Sequence, residues 1–271
     1  MEKLDYLIKY LLEENKDVKI NEIPTNQEDK KRIYRSLCNI REPKPIDKAY
    51  IQIENAYLQE ELREKGITKI ENIKTIQDIF PDSSLKHKNK ICLWKGDITT
   101  LKIDAIVNAA NSQGLGCFIP CHKCIDNAIH SYSGIALRLE CNEKMNQIKK
   151  LETGNAFITK GYNLPAKHVI HTVGPIIYEE VTEKEREELQ NCYIHSLELA
   201  KEKQIKQIAF PCISTGEFRF PKNEDCKIAL KSVEDYLRKN ENYFEKIVFN
   251  VFTDEDYTIY LKNLGDEYGR I

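Results

Sequence analysis

The chain has 271 residues, 41% of them hydrophobic, and a formal net charge of -2. That length and apolar share build one large domain or a domain with an appendage, and exclude a disordered chain. The 41 lysines and arginines are balanced by 43 acids, which argues against a nucleic-acid-binding role, and no apolar run is long enough to span a bilayer.

The opening MEKLDYLIKYLLEEN carries acids inside its apolar pattern, unlike a signal peptide. It reads as a helix whose face is Leu4, Leu7, Ile8, Leu11 and Leu12. A second helix starts near Thr25–Asn26 and carries Ile33, Tyr34, Leu37 and Cys38. A third follows the break at Pro43 and Pro45, with Asp47 as N-cap, Tyr50, Ile53, Tyr57 and Leu62 as its face, and Gly66 as its stop. The polar, breaker-rich stretch Phe80–Lys90 marks a junction, which divides the chain into a helical N-terminal extension (1–85) and a second unit (86–271).

Beyond the junction short β-rich runs alternate with longer helical ones. Strands are expected at Ile91–Trp94, Ala105–Asn108, Ala156–Thr159, His168–Thr172, Gln207–Pro211 and Lys246–Phe252. Helices are expected at Ile125–Glu140, Glu183–Lys203, Asn223–Arg238 and near Asp254–Leu261, with a capping box at Thr182 and Glu185. The alternation predicts an α/β layered domain with a mostly parallel central sheet, whose ligands sit at the carboxyl ends of strands.

Nine cysteines, an odd number, read as reduced thiols of a cytoplasmic protein, the clustered ones being metal candidates. Cys117, His122 and Cys124 have the spacing C-x4-H-x-C. Thiolate and imidazole suit Zn²⁺, and three protein ligands leave the fourth position that catalytic sites need. The same residues also read as a cysteine-rich turn without metal. Cys121 can replace Cys117 or close the set to four, which would leave the ion a structural role.

Asp126 begins a helix and, taken by itself, reads as a first-turn acid favoured by the helix dipole. Asn111 and Asp97 read as ligand-binding or as turn residues. The turn Ser214-Thr215-Gly216-Glu217-Phe218 joins an apolar strand to a helix. Its backbone N–H groups make an anion cradle or an ordinary connection. Glu217 counts against phosphate unless its side chain points away, and Phe218 can wall off a sugar. His130, His168, His171 and His195 read as buried histidines with a hydrogen bond each.

Five ordered segments, GDIT (96–99), DAIVNAAN (104–111), LGCFIPCHKCIDNAIHSYSG (115–134), LPAKHVIHTVGP (164–175) and FPCISTGEFRFP (210–221), resemble the macrodomain family, specifically its zinc-containing subgroup of protein-ADP-ribose hydrolases. The resemblance implies a three-layer α/β/α fold with a mixed, mostly parallel sheet behind a small helical extension. It implies hydrolysis of mono-ADP-ribose from Asp and Glu side chains, with O-acetyl-ADP-ribose deacetylation or a non-catalytic ADP-ribose reader as alternatives.

The residue roles it implies are these. Asp97, with Ile98 beside it, meets adenine; Asn111 binds the distal ribose and counts with Asp126 as catalytic; Ser214 to Phe218 wrap the diphosphate and distal ribose. Cys117, His122 and Cys124 hold one Zn²⁺. Asp126 is the catalytic aspartate, and Cys124, Ile125 and Asp126 line the ribose pocket. The implied partners are ADP-ribose, an ADP-ribosylated protein and a lipoylated carrier as its target. The subgroup usually lacks a cysteine at the position of Cys121.

Overall fold

Apolar side chains at helical spacing draw three N-terminal helices together: α1 (Lys3–Glu14), α2 (Gln27–Ile40) and α3 (Lys48–Lys65). Leu4, Leu7, Ile8, Leu11, Tyr34, Leu37, Tyr50 and Tyr57 form their shared core, and Leu12, Ile33, Cys38 and Ile53 pack at its margin. The computed structural model describes residues 2–20 and 22–267; the outer ends of the two expected units, 1 and 268–271, lie outside the described residues.

Asn26 caps α2 by accepting from the Asp29 N–H. Asp47 stands at the N-cap position of α3 but makes no cap hydrogen bond. Its carboxylate accepts from the Tyr10 hydroxyl of α1 instead, at 3.1 Å, a tertiary partner replacing the local one. Gly66 ends α3 with φ of 83°, a backbone state open to glycine. The short β1 (Thr68–Lys69) and α4 (Ile76–Ile79) were not expected, because so few residues carry no readable period.

The remaining elements are β2 (Ile91–Lys95), β3 (Leu101–Lys102), β4 (Ala105–Ala109), α5 (Ile125–Ser133), α6 (Ile135–Ile148), β5 (Ala156–Lys160), β6 (His168–Thr172), α7 (Glu183–Glu202), β7 (Gln207–Phe210), α8 (Lys222–Lys239), β8 (Lys246–Val251) and α9 (Asp254–Lys262). Six strands form one sheet in the order β2-β8-β7-β4-β6-β5. All neighbours run parallel except β5, which is antiparallel to β6. A second parallel pair, β1 with β3, ties the extension to the domain.

Both sheet faces are covered, so the strands read as nearly continuous apolar runs. Successive side chains leave on opposite faces. Ala105 and Val107 join the core that includes Leu197 of α7 and Leu230 of α8. Ile106 joins the other core, with Ile129 of α5 and Leu137 of α6. The result is a three-layer α/β/α domain carrying a helical extension.

The helix expected over Ile125–Glu140 is two helices. Gly134, with φ of 92°, separates α5 from α6. The cause lies far away in sequence. The buried carboxylate of Glu54 in α3 accepts from the Ile135 N–H at 3.0 Å, capping α6, and a Cβ on Gly134 would lie 2.8 Å from that carboxylate. Glu54 also accepts from the Tyr34 hydroxyl at 2.7 Å.

Burial pushes the Glu54 carboxyl up to about 7, against the pull of the Tyr34 and Ile135 hydrogen bonds. Between an unfolded value of about 4.3 and that folded value, the native state keeps a proton the unfolded chain has lost. Stability therefore falls as pH rises through this window, by up to about 1.4 kcal/mol per pH unit, and levels off above it. Glu54→Gln removes that loss: its melting temperature should match the parent's near pH 4.5 and exceed it at pH 8. A constant difference across the range would show that Glu54 does not titrate there.

Candidate active site

The five parallel strands end on one edge, and the segments that leave them line a cleft of about 480 Å³. Its walls include Gly96 to Ile98 beyond β2, Ala110 and Asn111 beyond β4, Gly174 beyond β6, Pro211, Cys212 and Ser214 to Phe218 beyond β7 and Phe252 beyond β8. The start of α5 enters from one side. The thirteen residues given ligand or catalytic roles by the resemblance line this cleft, Asp97, Ile98, Asn111, Cys117, His122, Cys124, Ile125, Asp126, Ser214, Thr215, Gly216, Glu217 and Phe218, whereas Cys121, the alternative metal candidate, does not.

The loop between β4 and α5 carries the metal candidates. The donor atoms of Cys117, His122 and Cys124 all lie within 4.8 Å of one another, with Cys117 Sγ 3.7 Å from His122 Nδ1. Zn–S bonds of about 2.3 Å and Zn–N bonds of about 2.0–2.1 Å put tetrahedral S and N ligands roughly this far apart. Cys121 does not belong to the trio. With φ of 51°, it turns its thiol to α2, 3.2 Å from Ser36 Oγ and 3.3 Å from the Arg32 carbonyl. The set therefore has three members and stays open on the cleft side. Cys124 Sγ accepts from the Asn127 N–H, while burial pushes its thiol up to about 12.

Asp126 sits in the first turn of α5 and is 4% exposed. Its Oδ1 accepts from Asn108 Nδ2 at 2.7 Å and its Oδ2 from Asn111 Nδ2 at 3.3 Å. Burial raises its carboxyl to about 6, although the Asn108 hydrogen bond opposes this. Such a carboxylate is a better proton acceptor than an exposed one. Asn108 is itself shared, its Nδ2 lying 3.1 Å from His171 Nδ1, while His171 Nε2 meets Thr159 Oγ1 at 2.9 Å.

The other histidines divide. His195 Nδ1 meets the Gly154 carbonyl at 2.7 Å and His168 Nδ1 the Asp104 carbonyl at 3.3 Å. His130 departs from expectation: it is buried, and neither ring nitrogen has a hydrogen-bond partner among the described residues. Burial, with His171 and Arg138 nearby, drives its pKa far down, so it stays a neutral ring.

Also lining the cleft, Asp97 Oδ1 accepts from the Thr99 N–H and hydroxyl at 2.9 and 2.6 Å, and Oδ2 from Lys65 Nζ at 2.6 Å. Burial pushes this carboxyl up, but the Lys65 and Thr99 hydrogen bonds outweigh it and hold it below the ordinary value. Asp97 is thus an anionic acceptor beside the cleft.

The turn 214–218 lines the same cleft, with Ser214 and the following Arg219 at positive φ. It is closed by Arg219 N–H to the Gly216 carbonyl and Phe220 N–H to the Ser214 carbonyl. Among the described residues no backbone carbonyl accepts from the N–H groups of Thr215, Gly216, Glu217 or Phe218, so they remain donors for an anion. Glu217 points away from them. Its carboxylate is 74% exposed and lies 3.5 Å from His122 Nε2. Phe218 packs its ring against the sheet core.

A macro domain model matches residues 107–229. The Protein-ADP-ribose hydrolase of Treponema medium is 45% identical over 262 residues, which span 96% of this chain and 97% of that relative. The chain belongs to the macro domain family. The Protein-ADP-ribose hydrolase of Staphylococcus aureus (strain MRSA252) is 44% identical, covering 95% of this chain and 93% of its own. A Trypanosoma brucei macrodomain solved in complex with ADP-ribose has a TM-score of 0.65 at 28% identity, covering 85% of this chain and 95% of that one.

Residues that the sequence analysis did not single out also line the cleft or hydrogen-bond to the residues around it. Asn108 lies two positions after Ile106 and so on the α5 side of β4; the period-2 rule places it there. Phe252, 76% exposed, lines the cleft just beyond β8, where the carboxyl-end rule could have found it. Lys65 on Asp97, and Arg35 of α2 on Asn127, carry no local signal, since each contact joins the extension to the macro domain proper.

Proposed function

We propose that this macro domain is a protein-ADP-ribose hydrolase that releases mono-ADP-ribose from aspartate and glutamate side chains and holds one zinc ion on Cys117, His122 and Cys124. The observation that carries this reading is a buried Asp126 of raised pKa lining the same cleft as the Cys117, His122 and Cys124 donor set and a turn whose N–H groups have no backbone acceptor among the described residues. The names of the two bacterial relatives support it.

In this reading Asp97 takes the adenine amino group, with the Ile98 backbone beside it. The N–H groups of the 214–218 turn hold the diphosphate. Asn111 holds the distal ribose, and Cys124 and Ile125 line its pocket. This remote binding fixes the reacting carbon against Asp126. Cys117, His122 and Cys124 would hold a zinc ion that, when bound, would supply positive charge against a ribose or carbonyl oxygen and make a nearby water more acidic. Asp126 orients the attacking water and accepts its proton, while Asn108 and Asn111 fix the carboxylate. An ester leaving group departs as a carboxylate and needs no acid to protonate it, so one buried carboxyl suffices.

The deciding assay follows ADP-ribose release from an aspartate- or glutamate-modified protein under single-turnover conditions. O-acetyl-ADP-ribose is run in parallel, and a lipoylated carrier serves as one protein substrate. Release from the protein ester supports the reading. Binding without release would leave a reader, and cleavage of the small ester alone would leave a deacetylase.

Gly216 gives a separate test of the diphosphate turn. A Cβ there would meet no protein atom within 4 Å, and its φ lies outside the left-handed region, so nothing in the protein itself demands glycine. Gly216→Val should fold with an unchanged melting temperature yet weaken ADP-ribose binding by about tenfold or more, which is about 1.4 kcal/mol. Unchanged affinity by titration calorimetry would remove the diphosphate from this turn.

A further inference from the structure

The loop that carries Cys117, His122 and Cys124 has no regular secondary structure over 115–124. Its own backbone contributes a single turn, the His122 N–H to the Ile119 carbonyl. It is held from outside, largely by the N-terminal extension. Arg35 of α2 places Nε and Nη2 on Asn127 Oδ1 at 3.0 and 2.6 Å, and Nη2 also reaches the His122 carbonyl at 3.1 Å.

Asn127 is fully buried and passes this grip on. Its Nδ2 donates to the Ile119 carbonyl at 3.0 Å, and its N–H donates to Cys124 Sγ at 3.4 Å. Asn39, also of α2, accepts from the Cys121 N–H at 2.8 Å. On the other side Arg138 of α6 bridges the loop to the end of α2, donating to the Leu115 carbonyl and to those of Asn39 and Arg41.

A ligand-bearing loop that is ordered only when the ion arrives gives up binding energy to its own ordering; one fixed beforehand does not. Groups that orient metal ligands typically change affinity by about 10–100-fold when removed. Arg35 touches the main chain of one candidate ligand directly and, through Asn127, reaches the sulfur of another. We infer that the helical extension is the scaffold of the metal loop, and that Arg35 is a positioning residue holding His122 and Cys124 in place before an ion binds. This rests on the zinc reading above for its consequence, but not for its geometry.

The test compares full-length parent protein, Arg35→Met and, as control, Lys31→Met, which breaks the α2–α3 pair of Lys31 with Glu61 and leaves the loop contacts alone. Two quantities are read. One is zinc transfer to a chromophoric chelator. The other is the rate at which Cys117 and Cys124 are alkylated in metal-free protein, followed by mass spectrometry.

Arg35→Met should lower zinc affinity by about 10–100-fold and speed alkylation of both cysteines at least severalfold. The control should match the parent in both, with all three melting within a few degrees of one another. Parent-like transfer and alkylation in Arg35→Met would overturn the inference, as would equal changes in the control. Should Arg35→Met not fold, Arg35→Lys, which keeps the charge and loses the fork, is judged by the same two rates. If the parent itself takes up no zinc, the zinc reading fails, and the alkylation rates still decide whether Arg35 holds the loop.

Discussion

Asp126→Ala is expected to lower turnover of an ester-linked ADP-ribosyl protein by about 10²–10⁴-fold, the usual worth of a positioned general base, while ADP-ribose still binds. Two side effects can be anticipated. The carboxylate accepts from Asn108 and Asn111, so its removal leaves a buried amide donor unpaired, at a cost of about 1–3 kcal/mol of stability. The melting temperature should therefore drop without loss of the fold.

Asp126→Asn separates these effects. It keeps the side chain's volume and an acceptor oxygen but cannot take a proton, so it should share the turnover loss and recover part of the stability. Single-turnover release and calorimetric titration with ADP-ribose are the two measurements. Undiminished hydrolysis in either variant would remove Asp126 from the chemistry. A loss of binding as large as the loss of turnover would reduce it to a pocket wall.

The second large effect concerns the metal. In the parent, chelation should abolish release of ADP-ribose, and added zinc should restore it. Cys124→Ala should be inactive with or without added zinc and should lose its zinc, because a trio reduced to one thiol and one imidazole is a poor site. Charge stabilisation by a catalytic ion is worth several kcal/mol, so a loss of about a hundredfold or more is expected. Elemental analysis paired with the release assay reads both quantities. Full turnover in metal-free parent protein would confine zinc to holding the loop, and the Asp126 variants would then carry the mechanism alone.

Much of this architecture was legible from local pattern. The helices of the extension announce themselves by apolar residues at i, i+3, i+4 and i+7, and the parallel strands by short apolar runs such as Ile106–Val107 and Ile247–Val248. Where reading failed, a distant residue intervened. The α5–α6 break looks like one amphipathic helix until Glu54 of α3 is seen capping Ile135. Asp47 has the sequence of an N-cap and the contacts of a tertiary acceptor. His130 was expected to find a hydrogen bond and has none among the described residues; its Nε2 stops 3.6 Å from Asp126 Oδ1, a carboxylate brought there by the helix turn and already held by Asn108 and Asn111.

The amino-acid order alone marked out the candidate residues: the C-x4-H-x-C donors, Asp126 at a helix start, and a glycine-containing turn after an apolar strand. Each is a matter of residue type and spacing over a few positions, where local backbone geometry governs. Only the folded chain decided that these segments share one cleft, that the Cys121 thiol faces α2 rather than the donor set, and that Arg35 and Lys65 reach the site across 92 and 32 residues of sequence. Contacts at such separations depend on how sheet edge, helices and extension pack together, and no short-range spacing encodes that packing.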